Sequence, residues 1–150
     1  LEQAEVPKMR LEVRALPRWG RCFLIDDAYN ANPASVLQAL ETAAQLREEG
    51  RLFAVLGDMK ELGACAPDAH QEVGRAAARA ADYLAGVGPM MGHAVEEARR
   101  FGLPADRARH FEEPAGAAAW VAGRLRPGDW VLVKGSRSMR MERAAEVLEG

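Results

Sequence analysis

Polar side chains gather where an apolar strand pattern gives way to a helix, in the stretch IDDAYNANPASVLQAL that begins at Ile25. Asp26 and Asp27 close the strand pattern, and side-chain alternation directs them to opposite faces of a sheet. One of them can hold an arginine or a loop while the other faces a crevice. Tyr29 offers a flat face to a nucleobase, and the Asn30 amide can both donate and accept hydrogen bonds. These residues predict a ligand-binding turn, although such residues also favour ordinary turns.

A second polar junction is GDMKELGACAPDAHQEVG, which begins at Gly57. Asp58 and Glu61 follow a strand pattern, and His70 comes early in the next helix pattern, so the three could hold a metal ion or manage protons. Because no second histidine stands at helical spacing, we expect no dedicated metal site. The alternative for His70 is a hydrogen-bonding loop anchor. Asn32, in the first junction, precedes a proline and is expected chiefly to cap a helix.

The third junction, VLVKGSRSMRMERAAEVL, begins at Val131 and has the composition of an anion site. Lys134 closes an apolar strand pattern, and Ser136, Arg137 and Ser138 follow before the next helix pattern. Backbone N–H groups at a helix N-terminus attract negative charge, and an arginine fork suits carboxylate or phosphate. The alternative is that Ser136 or Ser138 caps the helix and Arg137 is solvated.

These junctions are positioned by short apolar runs that alternate with longer amphipathic runs, a pattern typical of a parallel α/β sheet. About six strands and five helices are predicted, with helices on both faces of a mostly parallel sheet. The first strand, MRLEVRAL, precedes the alternating part and need not run parallel to the others. In open α/β sheets ligands bind beyond the carboxyl ends of the strands, which is where all three junctions fall.

Composition narrows the class of protein. The chain has 150 residues, 49% of them hydrophobic, and a net charge of −2, which fits one globular domain without the basic face that a nucleic acid would require. No signal peptide or long apolar run is present, so a cytoplasmic protein without membrane insertion is expected. Cys22 and Cys65 are too few for a zinc site or a disulfide framework. The phosphate-binding pattern G-x-x-x-x-G-K-[ST] does not occur.

Four motifs, DDAYNANP, VLGDMKELG, HQEVG and LVKGSRSMRMERAAEVL, resemble in this order the C-terminal domain of the Mur ligase family, and within it the MurF group. The resemblance implies that residues 1–150 form one Rossmann-like three-layer domain, with residues 1–16 as the interdomain connection and first strand. It also implies that the N-terminal and central ATPase domains are absent from this chain. Ala28 departs from the family, which commonly has serine there.

The resemblance implies an ATP-dependent ligase that adds D-Ala-D-Ala to UDP-MurNAc-tripeptide through an acyl phosphate, in peptidoglycan synthesis. ATP and Mg²⁺ would be bound mainly by the central domain, over which this domain closes, and the fragment alone would be inactive. The resemblance also implies a position for each of three sets of residues. Asp27, Tyr29 and Asn30 would meet the nucleotide and the central domain, Lys134, Ser136 and Arg137 would lie near the dipeptide, and Asp58, Glu61, His70 and Asn32 would line the same crevice.

Two alternatives remain open at this point. Another Mur-type ligase, or one similar to folylpolyglutamate synthase, would share the mechanism and differ in the incoming amine. A stand-alone Rossmann-like module would bind a nucleotide without catalysis. The DDAYNANP and KGSRS turns argue against the first alternative, and the poor glycine fingerprint argues against the second.

Overall fold

The computed structural model describes residues 11–28 and 30–150. The described residues form six strands and five α-helices, as the alternating pattern predicts. The strands are β1 (Glu12–Leu16), β2 (Cys22–Asp27), β3 (Leu52–Gly57), β4 (Tyr83–Val87), β5 (Ala108–Phe111) and β6 (Trp130–Lys134). The helices are α1 (Pro33–Leu46), α2 (Ala66–Ala80), α3 (Met91–Arg100), α4 (Pro114–Ala122) and α5 (Glu142–Glu149). Within these described ranges no helix is both long enough and apolar enough to span a bilayer.

One sheet contains all six strands in the order β1-β2-β6-β3-β4-β5. β1 pairs antiparallel with β2, and the remaining pairs are parallel, which confirms a mostly parallel sheet. The last strand, β6, lies between β2 and β3, so chain segments far apart in sequence become neighbours. Their carboxyl ends therefore meet at one edge of the sheet, where the strand order reverses and ligands bind in folds of this kind.

Each face of the sheet carries its own apolar core. On one face α1, α2 and α3 cover side chains such as Ile25, Leu56 and Leu132. On the other face α4 and α5 cover side chains such as Leu24 and Val133. Because both faces are covered, the strands read as nearly continuous apolar runs, which is why the sequence shows so little two-residue alternation. The three-layer architecture expected from the sequence is confirmed.

The C-terminal end of helix α1 differs from the end that the sequence predicts. The apolar stripe that follows Pro33 predicts a helix as far as about Gly50, but α1 ends at Leu46, and Arg47 is already extended, with φ −65° and ψ 126°. The Arg47 guanidinium pairs with Asp82, in the loop before β4. Gly50 does not end the helix. It lies so close to Gly128 that a Cβ atom would come within 1.8 Å of that residue's carbonyl oxygen.

Candidate functional site

A crevice at the carboxyl edge of the sheet brings the three polar junctions together. We call it the carboxyl-edge crevice; its volume is about 420 Å³. It is formed by the loops that follow β2, β3 and β6, which are neighbours only because β6 inserts between the other two. The lining residues are Asn30, Ala31, Asn32, Lys60, Glu61, Leu62, Ser136, Arg137 and Ser138. The three loops therefore meet at one edge. Of the four residues expected to line the same crevice, Asn32 and Glu61 do so, whereas Asp58 and His70 are buried and are not among the lining residues.

Asp27 and Lys134 form a buried ion pair beside this crevice. Their strand positions are directly opposite in the β2–β6 register, and the Lys134 ammonium lies 2.7 Å from Asp27 Oδ2. Only 4% of the Lys134 side chain and 6% of the Asp27 side chain are exposed. Lys134 Nζ also donates to the Asn30 carbonyl oxygen at 3.0 Å. Lys134 therefore fixes the turn after β2 to the end of β6. Asp27 was expected near the nucleotide and Lys134 near the dipeptide, but in the structure the two side chains contact each other.

Asp26 faces the opposite side of the sheet. One of its carboxylate oxygens accepts a hydrogen bond from the Arg14 guanidinium at 2.7 Å. The sequence had allowed for such a contact, because one of the two neighbouring acids could hold an arginine. Arg14 also pairs with Glu12 and Glu149, so it joins β1 and β2 to the end of α5. The hydrogen bonds that Arg14 donates to Glu149 and Asp26 raise the pKa of Arg14. This cluster stabilises the sheet edge and lies on the other face from Asp27.

The two asparagines after β2 have different environments. Asn32 Oδ1 accepts the Ser35 N–H at 2.9 Å, and Ser35 Oγ accepts the Asn32 N–H at 3.1 Å, a reciprocal capping box that confirms the predicted cap of α1. Asn30 is exposed, and its Oδ1 accepts the Ala31 N–H at 2.8 Å. Tyr29, the third residue expected here, lies outside the described residues. Asn30 is thus the exposed amide that this turn presents to the crevice.

Asp58 is buried and connects two loops. Its carboxylate accepts the N–H groups of Met90 and Met91, at 3.2 and 2.9 Å, at the start of α3. A carboxylate at a helix N-terminus is favoured both by these donors and by the helix dipole. Gly88 permits the approach, since a Cβ atom there would lie 2.6 Å from the carboxylate. Asp58 therefore has a loop-anchoring role that its position after β3 did not reveal.

His70 is the loop anchor that the sequence offered as an alternative to a proton-transfer or metal role. It is fully buried in α2, its Nε2 accepts the Met59 N–H at 3.0 Å, and its Nδ1 lies 2.7 Å from the Ala66 carbonyl oxygen. The tautomer with the proton on Nδ1 satisfies both contacts. In the described part of the chain, no three His, Cys, Asp or Glu side chains are grouped as a metal ion would require.

The loop after β6 is not the helix N-terminus that the sequence indicated. Helix α5 begins at Glu142, and its N-cap residue is Met141. Neither Ser136 nor Ser138 caps this helix with a side-chain hydrogen bond. Ser136 instead joins two loops, because its N–H donates to the Asp58 carbonyl oxygen at 3.2 Å and its Oγ accepts the Lys60 N–H at 2.9 Å. The cap alternative for these serines is wrong.

Three crevice-lining features were missed or underestimated from the sequence. Lys60 lines the crevice beside Arg137 and gives it a second cation. Ser138 also lines it, although the sequence suggested only a cap. Glu61 is exposed and has a left-handed backbone, with φ 65°, which is uncommon for a residue other than glycine. The VLGDMKELG motif contained a signal for Lys60, since it is the cation nearest to the end of β3.

Comparison with known proteins agrees with this geometry. Residues 9–137 match the family described as Mur ligase, glutamate ligase domain. The chain belongs to this family. The match covers the sheet from β1 to β6, the loops after β2 and β3 and the first residues of the loop after β6, so the resemblance seen in four motifs extends to the fold that positions them.

Two curated relatives are ligases of the same name. The chain is 37% identical to the UDP-N-acetylmuramoyl-tripeptide–D-alanyl-D-alanine ligase of Treponema pallidum, over 90% of this chain and 31% of that protein. It is 32% identical to the ligase of the same name from Bacillus subtilis, over 95% of this chain and 31% of the relative. The chain thus spans about a third of the length of these relatives.

Solved structures give the same result. A MurF ligase from Thermotoga maritima, crystallised in complex with ADP, superposes with a TM-score of 0.76 at 29% identity, over 96% of this chain and 31% of that one. A MurF from Acinetobacter baumannii superposes with a TM-score of 0.77 at 31% identity, over 100% of this chain and 32% of that one. The fold of the described residues is therefore that of about a third of a MurF chain.

Proposed function

We propose that this chain is the C-terminal domain of an ATP-dependent ligase that joins D-Ala-D-Ala to UDP-MurNAc-tripeptide in peptidoglycan synthesis. The observation that carries the proposal is the 37% identity, over 90% of this chain, to a ligase of that name. The chain covers 31% of that relative, which fits one domain of a larger cytoplasmic enzyme. In this proposal residues 1–150 form that domain, and the N-terminal and central domains lie outside the chain.

The carboxyl-edge crevice suits a ligand that is shared with a second domain. Asn30, Lys60 and Arg137 line it from three different loops, so an amide and two cations face one opening. An acyl-transfer reaction of this kind needs alignment and charge neutralisation more than a protein nucleophile. We assign Asn30, together with Tyr29, to the nucleotide and the central domain, and Ser136 and Arg137 to the side of the dipeptide. Asp27 and Lys134 hold these loops from beneath.

ATP and Mg²⁺ enter the proposal through the family. An amide with two cations is a donor set that fits the ribose or phosphate groups of a nucleotide. The phosphate-loop pattern is absent from this sequence, so we assign most of the ATP contacts, and Mg²⁺, to the central domain. When bound, ATP supplies the phosphoryl group that activates the carboxylate of the tripeptide. The residues of this chain would orient the reactants and exclude water when the domains close.

The proposal is tested by ADP release from ATP in the presence of UDP-MurNAc-tripeptide and D-Ala-D-Ala. The full-length enzyme, the isolated chain and full-length variants with Asn30→Ala or Lys134→Ala would be compared. Arg21→Ala is the matched control, because Arg21 is exposed just before β2, at the amino edge of the sheet. We expect an active parent and control, an inactive isolated chain and strongly impaired site variants. A parent that releases no ADP with these substrates would refute the proposed function.

A further inference from the structure

A second pocket, of about 300 Å³, lies between the starts of α4 and α5. We call it the α4–α5 pocket. It is lined by Glu113, Pro114, Ser138, Met139, Arg140 and Arg143. Ser138 also lines the carboxyl-edge crevice, so the two openings adjoin on the same edge of the sheet. The sequence analysis did not predict Glu113, Arg140 or Arg143 as site residues. The pocket that they line therefore requires its own explanation.

The two arginines of this pocket differ from the ion-paired arginines of the domain. Arg14, Arg51 and Arg75 each form an ion pair with a carboxylate at 2.7 Å. Arg140 and Arg143 are exposed, and neither makes an ion pair with any residue within 11–28 and 30–150. Two guanidinium groups that line one pocket without carboxylate partners of their own are the arrangement that binds a carboxylate or phosphate.

The backbone that carries these arginines is fixed. Arg140 has a left-handed conformation, with φ 54° and ψ 47°, between Met139 and the fully buried Met141. The Met141 side chain packs against Gly57 and Gly135, where added Cβ atoms would lie 2.8 and 2.5 Å from its side-chain atoms. A non-glycine residue in this conformation is strained and persists only where the surroundings impose it. The packing of Met141 is such a constraint, and it presents Arg140 to the pocket.

The opposite wall carries a negative group. Glu113 lies just before α4 and makes no side-chain cap hydrogen bond to that helix. Across the described residues it forms no ion pair with Arg140 or Arg143, although all three line the pocket. A small pocket with guanidinium groups and a carboxylate that do not neutralise each other suits a ligand that carries both charges, such as a free dipeptide with its amino and carboxylate ends.

We propose that the α4–α5 pocket binds the acceptor dipeptide, with Arg140 and Arg143 on its carboxylate. This inference rests on the proposed function and deepens it, since it names the two exposed arginines as the groups that bind the dipeptide carboxylate, in place of Lys134, which the sequence had placed near the dipeptide. Lys134 is 97% buried and paired with Asp27, whereas the arginines are exposed. The incoming amine would then lie toward Ser138 and the adjoining carboxyl-edge crevice.

The experiment measures steady-state ADP release by the full-length enzyme with D-Ala-D-Ala and with D-Ala-D-alaninamide, which lacks the carboxylate. The variants are Arg140→Gly, which the left-handed backbone favours, and Arg143→Gln, which suits the first turn of α5. We expect each to raise the KM for D-Ala-D-Ala on the order of tenfold or more, the range of a lost charge-assisted hydrogen bond, and to leave the KM for ATP unchanged. The preference of the enzyme for D-Ala-D-Ala over D-Ala-D-alaninamide should fall in the same variants.

Arg140→Lys and Arg21→Ala are the controls, the first because it keeps the charge and the second because it removes one at the opposite edge. A smaller increase with Arg140→Lys than with Arg140→Gly supports a charge contact. Increased KM for ATP with unchanged KM for the dipeptide would assign the pocket to a phosphate and overturn the inference. Active Arg140→Gly and Arg143→Gln variants with an unchanged KM for the dipeptide would also overturn the inference. An inactive parent would refute the proposed function itself, together with the inference.

Discussion

Replacement of Lys134 by methionine tests the most consequential contact in the structure. The change keeps a long unbranched side chain but removes the ammonium that lies 2.7 Å from Asp27. Asp27 would then be a carboxylate with 6% of its side chain exposed and without its cation. Breaking a buried pair by removing one partner lowers the free energy of unfolding by about 3–5 kcal/mol, because the remaining charge is uncompensated. Since domains are stable by only about 5–15 kcal/mol, the loss should be easy to detect.

The assay is urea unfolding of the 150-residue chain, followed by far-UV circular dichroism. We expect a lower midpoint at an unchanged slope, which separates a loss of stability from a change in the unfolded state. Arg14→Met is the control, because Arg14 is 34% exposed and its ion pairs are screened by water, each contributing at most about 1 kcal/mol. The double variant Asp27→Asn with Lys134→Met should be less unstable than the sum of its single changes, since it leaves no unpaired charge.

Two results would refute this reasoning. If Lys134→Met lowers the free energy of unfolding by less than about 1 kcal/mol, the pair is not desolvated as its burial indicates. If the double variant is as unstable as the sum of the single changes, Asp27 and Lys134 do not interact energetically. Either result would also contradict the role that we assign to Lys134 as a positioning residue, which holds the turn after β2 through the Asn30 carbonyl.

Two further predictions concern local contacts. Asn32→Ala should lower the free energy of unfolding by about 1 kcal/mol, because the Ser35 N–H loses its acceptor; Asn32→Ser, which preserves a cap oxygen, should recover most of it, and equal losses in both variants would contradict a capping role. In a thiol-titration assay with an aromatic disulfide reagent, exposed Cys65 should react in the folded chain, whereas Cys22 should react only after unfolding, because it is fully buried and burial raises the pKa of its thiol. Two fast thiols in the folded chain would contradict the packing of Cys22 in the core.

The sequence was sufficient for features that depend on neighbouring residues. The alternation of apolar and amphipathic runs predicts six strands, five helices and helices on both faces of the sheet. Asn32 and His70 bond to groups within a few residues or in the loop beside them, so their residue types and positions predict a cap and a loop anchor. Local chemistry also places the three polar junctions at the carboxyl ends of strands, and the structure confirms that they meet.

The pairings across the sheet were beyond sequence reasoning. Asp27 and Lys134 are 107 residues apart, and nothing in either motif indicates that β6 inserts beside β2. Asp58 reaches Met91 in the same way, across 33 residues. Non-local contacts of this kind follow from strand order, which depends on the packing of the complete domain. As a result, Lys134 looked like a ligand contact in the sequence, whereas the structure shows that its ammonium bonds to Asp27.

These long-range bonds have a common consequence for the carboxyl edge. Lys134 bonds to Asp27, and Ser136 bonds to the Asp58 carbonyl and the Lys60 N–H, so the loops after β2, β3 and β6 are joined to one another by buried groups. The exposed groups, among them Asn30, Lys60, Arg140 and Arg143, are carried by loops that are already fixed. Binding then requires less ordering of the protein, which increases the affinity available from a few polar contacts. In the proposed function this domain closes over another domain, and its half of the shared site would then already be formed at each encounter.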